Sequence, residues 1–205
     1  MECSSAVERM TVNHVVAGSI PATPANFTEN IMFKTYIPDI VVHLRERDES
    51  IGGPNPYKWV RTMTGDLFRG KKVIVFGLPG AFTPTCTNEQ LPGFERLYDE
   101  FIAEGIDEIW CTSVNDAFAM NKWAKDLGIE KVKMLPDGNG QFADSMGYLV
   151  DKSNLGFGKR SWRYALLIDD CSIERWFDEE GMCDNCPDDP YEVSRPEAVL
   201  EALRS

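Results

Sequence analysis

The amino-acid sequence predicts an α/β fold in which strands alternate with helices that cover both faces of one sheet. Two short apolar runs, 72–77 and 107–114, are bounded by turn residues and are typical of buried strands. Each run is followed by a segment with helical spacing, 84–103 and 116–127. A hairpin pattern and a terminal helix complete the chain, in an order that indicates the α/β class.

Strand propensity, periodicity and turn residues predict the individual elements. The expected strands are 37–44, 59–63, 72–77, 107–114, 162–168 and 172–177, and the expected helices are 84–103, 116–127 and 196–203, the last capped by Ser194. The first helix should be interrupted at Pro92-Gly93, because proline removes a backbone donor and clashes with the preceding turn. Phe118, Trp123 and Leu127 should form the buried face of the second helix.

Composition and charge exclude several classes of protein. The chain has 205 residues, with 21 lysines and arginines against 33 acidic residues, so its net charge is −12. A nucleic-acid-binding protein needs a basic face, and an anionic membrane surface also attracts basic residues, so we expect neither partner. No run approaches the roughly 20 apolar residues of a membrane-spanning helix. Six irregularly spaced cysteines do not form a disulfide scaffold, and we expect a cytoplasmic protein with reduced thiols.

The first 31 residues differ in composition from the rest of the chain. They contain small residues and two prolines, without the sustained period of a helix or a strand. We expect either a flexible, disordered extension or a spurious one, because the stretch NHVVAGSIPATPA resembles a translated transfer-RNA gene and Met32 is a plausible start. In both cases residues 1–31, with Cys3 and His14, carry no function, and residues 32–205 form one domain.

Cys86 lies where a reactive cysteine is expected. The strand 72–77 ends in a loop rich in proline and glycine, and the next helix begins with Thr83 as its N-cap and Pro84 as its first residue. Cys86 therefore falls in the first helical turn, where unpaired backbone N–H groups and the helix dipole favour a thiolate. A buried, inert cysteine is the alternative interpretation.

The stretch PGAFTPTCTNEQLPGF at 79–94 contains the pattern Pro79-x-x-x-Thr83-x-x-Cys86 and resembles the type II, or peroxiredoxin-five-like, subfamily of the peroxiredoxins. SVNDAF at 113–118, LPDG at 135–138 and DPYEVS at 189–194 resemble the same subfamily in the same order. The resemblance covers about residues 33–204. It implies a thioredoxin-like fold, with a central mixed sheet flanked by helices and an added N-terminal hairpin. We expect neither a cofactor nor a metal ion.

The resemblance also implies the roles of four residues. Cys86 is the expected peroxidatic nucleophile, Thr83 supplies a hydroxyl to the thiolate and the peroxide, and Pro79 shields the pocket. Arg163, in the stretch SWRYAL, matches the active-site arginine, since it emerges from an apolar strand where a charge needs a partner such as the Cys86 thiolate. Arg160 is the rival, and we expect it to be a solvated loop charge.

These residue types suit the reduction of a peroxide. An arginine, a hydroxyl and backbone N–H groups are fixed donors for the charge that spreads over the O–O bond. We therefore expect a thiol peroxidase for antioxidant defence that reduces hydrogen peroxide and organic hydroperoxides through a cysteine sulfenic acid. An external thiol, glutathione with glutaredoxin or thioredoxin, should reduce that acid. We also expect a homodimer, seeded by Leu78 and Phe82.

The other chemically interesting side chains allow more than one interpretation. Cys111 lies in the second buried strand; in some type II relatives a cysteine there is proposed to resolve the oxidised nucleophile, and core packing is the alternative. Cys183 and Cys186 form a C-x-x-C pair, which suits a redox disulfide or half of a zinc site. Cys171 is the only cysteine near that pair. We expect His43 to be a partly exposed structural residue.

The segment 169–190 carries nine acidic side chains and one basic one, Arg175. A solvated surface is the expected role, and a docking surface for a basic electron donor is the alternative. Two rival functions remain, a thiol–disulfide oxidoreductase that uses Cys183 and Cys186, and a non-catalytic binding module that interacts through this acidic face. The intact peroxidatic signature argues against the binding module.

Overall fold

The computed structural model describes residues 35–205, so the predicted extension, residues 1–31, lies outside the described residues. The strands are β1 (Thr35–Tyr36), β2 (Val41–Arg47), β3 (Tyr57–Met63), β4 (Lys72–Gly77), β5 (Glu108–Ser113), β6 (Lys133–Pro136), β7 (Leu149–Asp151), β8 (Lys159–Ser161), β9 (Tyr164–Asp169) and β10 (Ser172–Asp178). The helices are α1 (Thr64–Phe68), α2 (Leu91–Arg96), α3 (Tyr98–Ala103), α4 (Ala117–Asp126), α5 (Gln141–Ser145) and α6 (Pro196–Arg204), and a π-helical turn, Cys86–Gln90, leads into α2. Within residues 35–205, no helix has the length and apolar character needed to cross a bilayer.

The central sheet is mixed, as predicted. Its strand order is β1-β10-β9-β4-β5-β6. β4 runs parallel to β5 and β5 parallel to β6, whereas β9 is antiparallel to both β4 and β10. The antiparallel pair β2–β3 is the predicted N-terminal hairpin. Because β4 and β5 are parallel neighbours, the loops that follow them leave the same edge of the sheet, and these loops build the candidate site.

Both faces of the sheet are covered, because successive residues of a strand point to opposite sides. On one face, Ile74 and Phe76 of β4 pack with buried residues of α2, α3, α4 and α6. On the other face, Val73 and Val75 pack with buried residues of α1, α5 and the β2–β3 hairpin. Cys86 belongs to the first of these clusters, so the candidate nucleophile lies on the face that carries the longer helices.

The helix after Cys86 is not interrupted at Pro92-Gly93, so this prediction is wrong. Both residues lie inside α2, and the break comes at Leu97, between α2 and α3. The backbone widens into the π-helical turn before the proline, where the N–H of Leu91 bonds to the carbonyl of Cys86. We attribute the continuity to this wider turn, which ends just before the position where proline cannot donate.

Three further predictions are wrong in detail. Phe118 is exposed in the first turn of α4, where its ring meets Trp59 edge-to-face at 5.4 Å, although Trp123 is buried as expected. Ser194 does not cap α6, because its buried hydroxyl donates to Glu179 Oε1 at 2.7 Å. The strand predicted at 162–168 starts two residues later, because residues 162 and 163 lie between β8 and β9 and only the remainder falls in β9.

Candidate active site

Cys86 is fully buried near the start of the helix that follows β4. The strand ends at Gly77 and helical backbone begins at Pro84, as predicted, so Cys86 lies in the first turn. The N–H of Thr87 donates to the carbonyl of Thr83 at 2.9 Å and closes this turn. The N–H groups of a first turn have no partner within their helix, and the positive end of the helix dipole lies at the same place. Both stabilise an anion such as a thiolate.

The loop between β4 and this helix is held by local hydrogen bonds. The N–H of Ala81 donates to Asn115 Oδ1 at 2.9 Å, which ties the loop to the end of β5. The hydroxyl of Thr83 donates to the carbonyl of Gly80 at 2.8 Å. Pro79 is buried in the same loop. The bond to Gly80 occupies the hydroxyl proton of Thr83 and so orients the oxygen as an acceptor.

Arg163 is the arginine that contacts Cys86. It lies one residue before β9, and its side chain is only 1% exposed. Its Nη1 lies 3.5 Å from Cys86 Sγ, to which it donates. A buried guanidinium needs a negative or polar partner, and a cysteine thiolate needs a positive one, so each group stabilises the other.

Two further side chains, neither of them expected from the sequence, hold the Arg163 guanidinium. Nη1 also donates to Gln90 Oε1 at 2.6 Å, and Nη2 donates to both carboxylate oxygens of Asp189 at 2.6 Å each. Gln90 stands four residues after Cys86, and this helical spacing is a signal that could have found it. Asp189 lies in the DPYEVS stretch, but nothing in the sequence shows that this stretch returns to Arg163.

The charge of Arg163 is retained despite its burial. Burial alone lowers the pKa of this guanidinium, but the Cys86 thiolate and the Asp189 carboxylate outweigh it and raise the pKa above its usual value. The ring of Tyr191 lies 5.4 Å from the guanidinium carbon, and burial raises the pKa of this phenol, so the ring stays neutral. Cys86 therefore faces a permanent cation.

Arg160 occupies a different place from the one expected. It lies on β8 rather than in a solvated loop, and it is partly buried. Its Nη1 donates to the carbonyl of Val114 at 2.7 Å, and its guanidinium carbon lies 5.7 Å from the ring of Phe157. Because its hydrogen-bonding partner is a backbone carbonyl, we assign Arg160 the structural role of linking β8 to Val114.

Cys111 is a core residue of β5. It is fully buried, and its strand neighbours are Phe76 on β4 and Met134 on β6. Burial raises the pKa of its thiol well above the usual value, and repulsion by the nearby Cys86 charge raises it further. The thiol of Cys111 is therefore protonated and weakly nucleophilic at neutral pH.

The C-x-x-C segment lies in the loop after β10, away from a helix start. Cys186 is buried, its thiol lies 3.7 Å from the carbonyl of Gly181, and its own carbonyl accepts from Lys152 Nζ at 3.3 Å. Cys183 is partly buried against the core. Residues 35–205 contain no cluster of three or more histidine, cysteine or acidic side chains that could hold a metal ion. His43 is exposed on β2.

Comparisons with known proteins show what this chain is similar to. The Redoxin family model matches residues 60–182. Peroxiredoxin y4vD of Sinorhizobium fredii is 58% identical over 172 residues, which make up 84% of this chain and 92% of the relative. The antioxidant protein (1-Cys peroxiredoxin) of Plasmodium falciparum superimposes with a TM-score of 0.78 at 37% identity, over 83% of this chain and 98% of that chain. Reduced Prx3 of Vibrio vulnificus in complex with hydrogen peroxide gives a TM-score of 0.70 at 35% identity, over 83% and 94% respectively.

Proposed function

Because this chain belongs to the peroxiredoxin family and is therefore a thiol-dependent peroxidase, we propose that Cys86 is the nucleophile that reduces hydrogen peroxide and small organic hydroperoxides. The observation that carries this proposal is the contact of Arg163 Nη1 with Cys86 Sγ at 3.5 Å in a buried first helical turn. The crystal of the Vibrio vulnificus relative with hydrogen peroxide supports the choice of substrate.

The proposed reaction balances in one step. The Cys86 thiolate attacks the nearer oxygen of the peroxide, a new S–O bond forms and the O–O bond breaks. The attacked oxygen keeps its hydrogen, so that the sulfur is left as a sulfenic acid. The second oxygen takes up a proton from the solvent and leaves as water or an alcohol. Arg163 and the first-turn N–H groups stabilise the charge that spreads over both oxygens. Thr83, whose own hydroxyl proton is hydrogen-bonded to the carbonyl of Gly80, accepts a hydrogen bond from the peroxide hydroxyl, and Pro79 shields the pocket from water.

We propose that an external thiol completes the cycle in the cytoplasm. Glutathione condenses with the sulfenic acid and releases water, and a second thiol, from glutathione with glutaredoxin or from thioredoxin, then reduces the mixed disulfide. Cys111 is a poor alternative because its thiol is protonated, and a strand-centre cysteine reaches a helix start only after local unfolding. A disulfide also needs Cα atoms within about 7 Å. Cys183 and Cys186 pack with the core cluster on one face of the sheet, whereas Cys86 belongs to the cluster on the other face.

Steady-state peroxidase assays with glutathione and glutaredoxin test both parts of the proposal. Cys86→Ser should be inactive, because serine is not a nucleophile at neutral pH. Cys111→Ser and the double variant Cys183→Ser/Cys186→Ser should keep turnover close to the wild-type value. If turnover collapsed in Cys111→Ser and a Cys86–Cys111 disulfide accumulated in the wild type, external resolution would be wrong. Activity in Cys86→Ser would exclude Cys86 as the nucleophile.

We also propose that the protein is a homodimer, with a corrected set of contact residues. Leu78 is fully buried and cannot seed an interface, whereas Phe82 is 55% exposed and Phe118 53% exposed. Phe82 packs near Trp123 of α4, at 6.5 Å between ring centroids, and Phe118 begins the same helix. Exposed aromatic rings are typical of subunit contacts, and we propose that both rings take part in this one.

Light scattering at tens of micromolar should therefore report a dimer for the wild type. The double variant Phe82→Asp/Phe118→Asp should be a monomer, because two carboxylates cannot be buried in an apolar contact. Aspartate suits position 82, whose φ of 65° lies in the left-handed region. Tyr36→Asp, at an exposed aromatic of β1, is the matched control and should remain dimeric. A monomeric wild type would contradict the proposal.

A further inference from the structure

We propose that Asp189, in the acidic segment after β10, is a positioning residue for peroxide reduction that acts through Arg163. The inference rests on the proposed roles of Cys86 and Arg163 and adds a residue that touches neither the sulfur nor the peroxide. One of the nine carboxylates in 169–190 thus serves the active site rather than the solvated surface.

The two side chains are in close contact, although one is buried and the other is half exposed. Nη2 of Arg163 donates to Oδ1 and to Oδ2 of Asp189, each at 2.6 Å. The arginine side chain is 1% exposed, whereas the aspartate side chain is 48% exposed. The carboxylate therefore reaches inwards from the surface to a buried guanidinium and compensates its charge.

A buried carboxylate, Glu179, fixes the segment that carries Asp189. Its Oε1 accepts from the N–H of Glu192 at 2.8 Å, from the N–H of Ser194 at 2.9 Å and from the Ser194 hydroxyl at 2.7 Å. The N–H of Glu179 in turn donates to the carbonyl of Arg163 at 3.3 Å. The same residue thus joins the backbone of the arginine to the backbone that follows Asp189.

The ring of Tyr191 also lies against the guanidinium of Arg163. The ring is buried, with its centroid 5.4 Å from the guanidinium carbon of Arg163 and 5.0 Å from that of Arg195. Arg195 Nε donates to the carbonyl of Tyr191 at 2.6 Å, which secures this arrangement. The ring and the Asp189 carboxylate, which the same segment carries, therefore contact Arg163 at two points.

The planarity of the guanidinium transmits this constraint to Cys86. With Nη2 fixed on Asp189, the direction of Nη1 towards Cys86 Sγ and Gln90 Oε1 is also fixed. Without the carboxylate, the guanidinium pivots about its hydrogen bond to Gln90. Its N–H groups then no longer point at the two oxygens of the breaking O–O bond. The negative charge of Asp189 acts against peroxide reduction, because it competes with the Cys86 thiolate for the Arg163 cation.

These two influences predict different outcomes for two reagents in Asp189→Asn. Reduction of hydrogen peroxide needs the oriented Arg163 guanidinium. The second-order rate constant for oxidation of Cys86 should therefore fall about tenfold, which is the effect expected from the loss of one charged hydrogen bond. Iodoacetamide has no O–O bond to polarise and reports only the reactivity of the thiolate. Its rate constant should be unchanged or higher, because a neighbouring negative charge has been removed.

Matched variants complete the experiment. Asp188→Asn removes the same charge at an exposed neighbour and should match the wild type with both reagents. Asp189→Glu restores the carboxylate and should recover part of the peroxide rate. In an Arg163→Ala background, Asp189→Asn should have no further effect, because the residue through which it acts is absent.

Three results would overturn the inference. The first is a peroxide rate in Asp189→Asn equal to that in Asp188→Asn. The second is a fall of the same factor with peroxide and with iodoacetamide, which indicates general damage to the site. The third is an equal fall in the presence and absence of Arg163. None of these resembles failure of the proposed function, which would show as peroxidase activity in Cys86→Ser.

Discussion

Replacing Arg163 with alanine should lower the second-order rate constant for hydrogen peroxide by about two to three orders of magnitude. Removal of one fixed donor from a desolvated site has an effect of this size, roughly 3–4 kcal/mol in the activation free energy. Arg163 is such a donor, since its Nη1 lies 3.5 Å from Cys86 Sγ and its side chain is 1% exposed. Stopped-flow measurement of Cys86 oxidation gives the rate constant directly.

Arg160→Ala is the control for this prediction. It removes a second arginine three residues away, whose Nη1 bonds to the carbonyl of Val114 and not to the sulfur. We expect its rate constant to stay within about a factor of ten of the wild-type value, a loss no greater than one structural hydrogen bond. Equal losses in the two variants would mean that Arg163 is not the arginine of the reaction.

The second large effect concerns stability and comes from Gly77, the last residue of β4. A Cβ atom at this position would overlap Tyr164 Cε1 and lie 2.5 Å from Cζ. Tyr164 has no room to move, because its ring is fully buried and stacks on Tyr148 with 3.8 Å between centroids. Gly77→Ala should therefore reduce the free energy of unfolding by about 3 kcal/mol, through overpacking of the core.

Chemical denaturation measures this loss, and Gly80→Ala is its matched control. A Cβ at Gly80 would meet Asn115 Oδ1 at 3.5 Å and Thr83 Cγ2 at 3.6 Å, which are ordinary contacts. We expect its unfolding free energy to stay within about 0.5 kcal/mol of the wild type. A loss in Gly77→Ala as small as that expected for Gly80→Ala would show that Tyr164 yields to a methyl group and that the close packing behind Arg163 is not rigid.

The parts of the fold that follow from local sequence were predictable. The strand predicted at 72–77 coincides with β4 because an apolar run between turn residues leaves few alternatives. The helix start was predictable for a similar reason, since Thr83 and Pro84 act through their own backbone. The short elements α1, β6, α5 and β7 were not predicted, because three to five residues carry too little periodicity to be distinguished from loops.

The parts of the site that depend on distant residues were less predictable. Arg163 was identified through a resemblance, and its burial agrees with the need of a charge for a partner. Asp189 was not identified, because its neighbours in sequence predict a solvated acidic surface and only the anchored loop turns it towards Arg163. Ser194 was misassigned for the same reason, since Glu179 takes the hydroxyl that would cap α6.

Mass spectrometry of the reduced protein after one equivalent of hydrogen peroxide shows directly which cysteine reacts. We expect one added oxygen atom at Cys86 alone, and a glutathione adduct in its place at the same residue when glutathione is present. Cys111, buried in β5 with a raised pKa, should remain unmodified. Oxidation of Cys183 or Cys186 with Cys86 intact would exclude Cys86 as the nucleophile and would indicate the C-x-x-C pair as the redox centre.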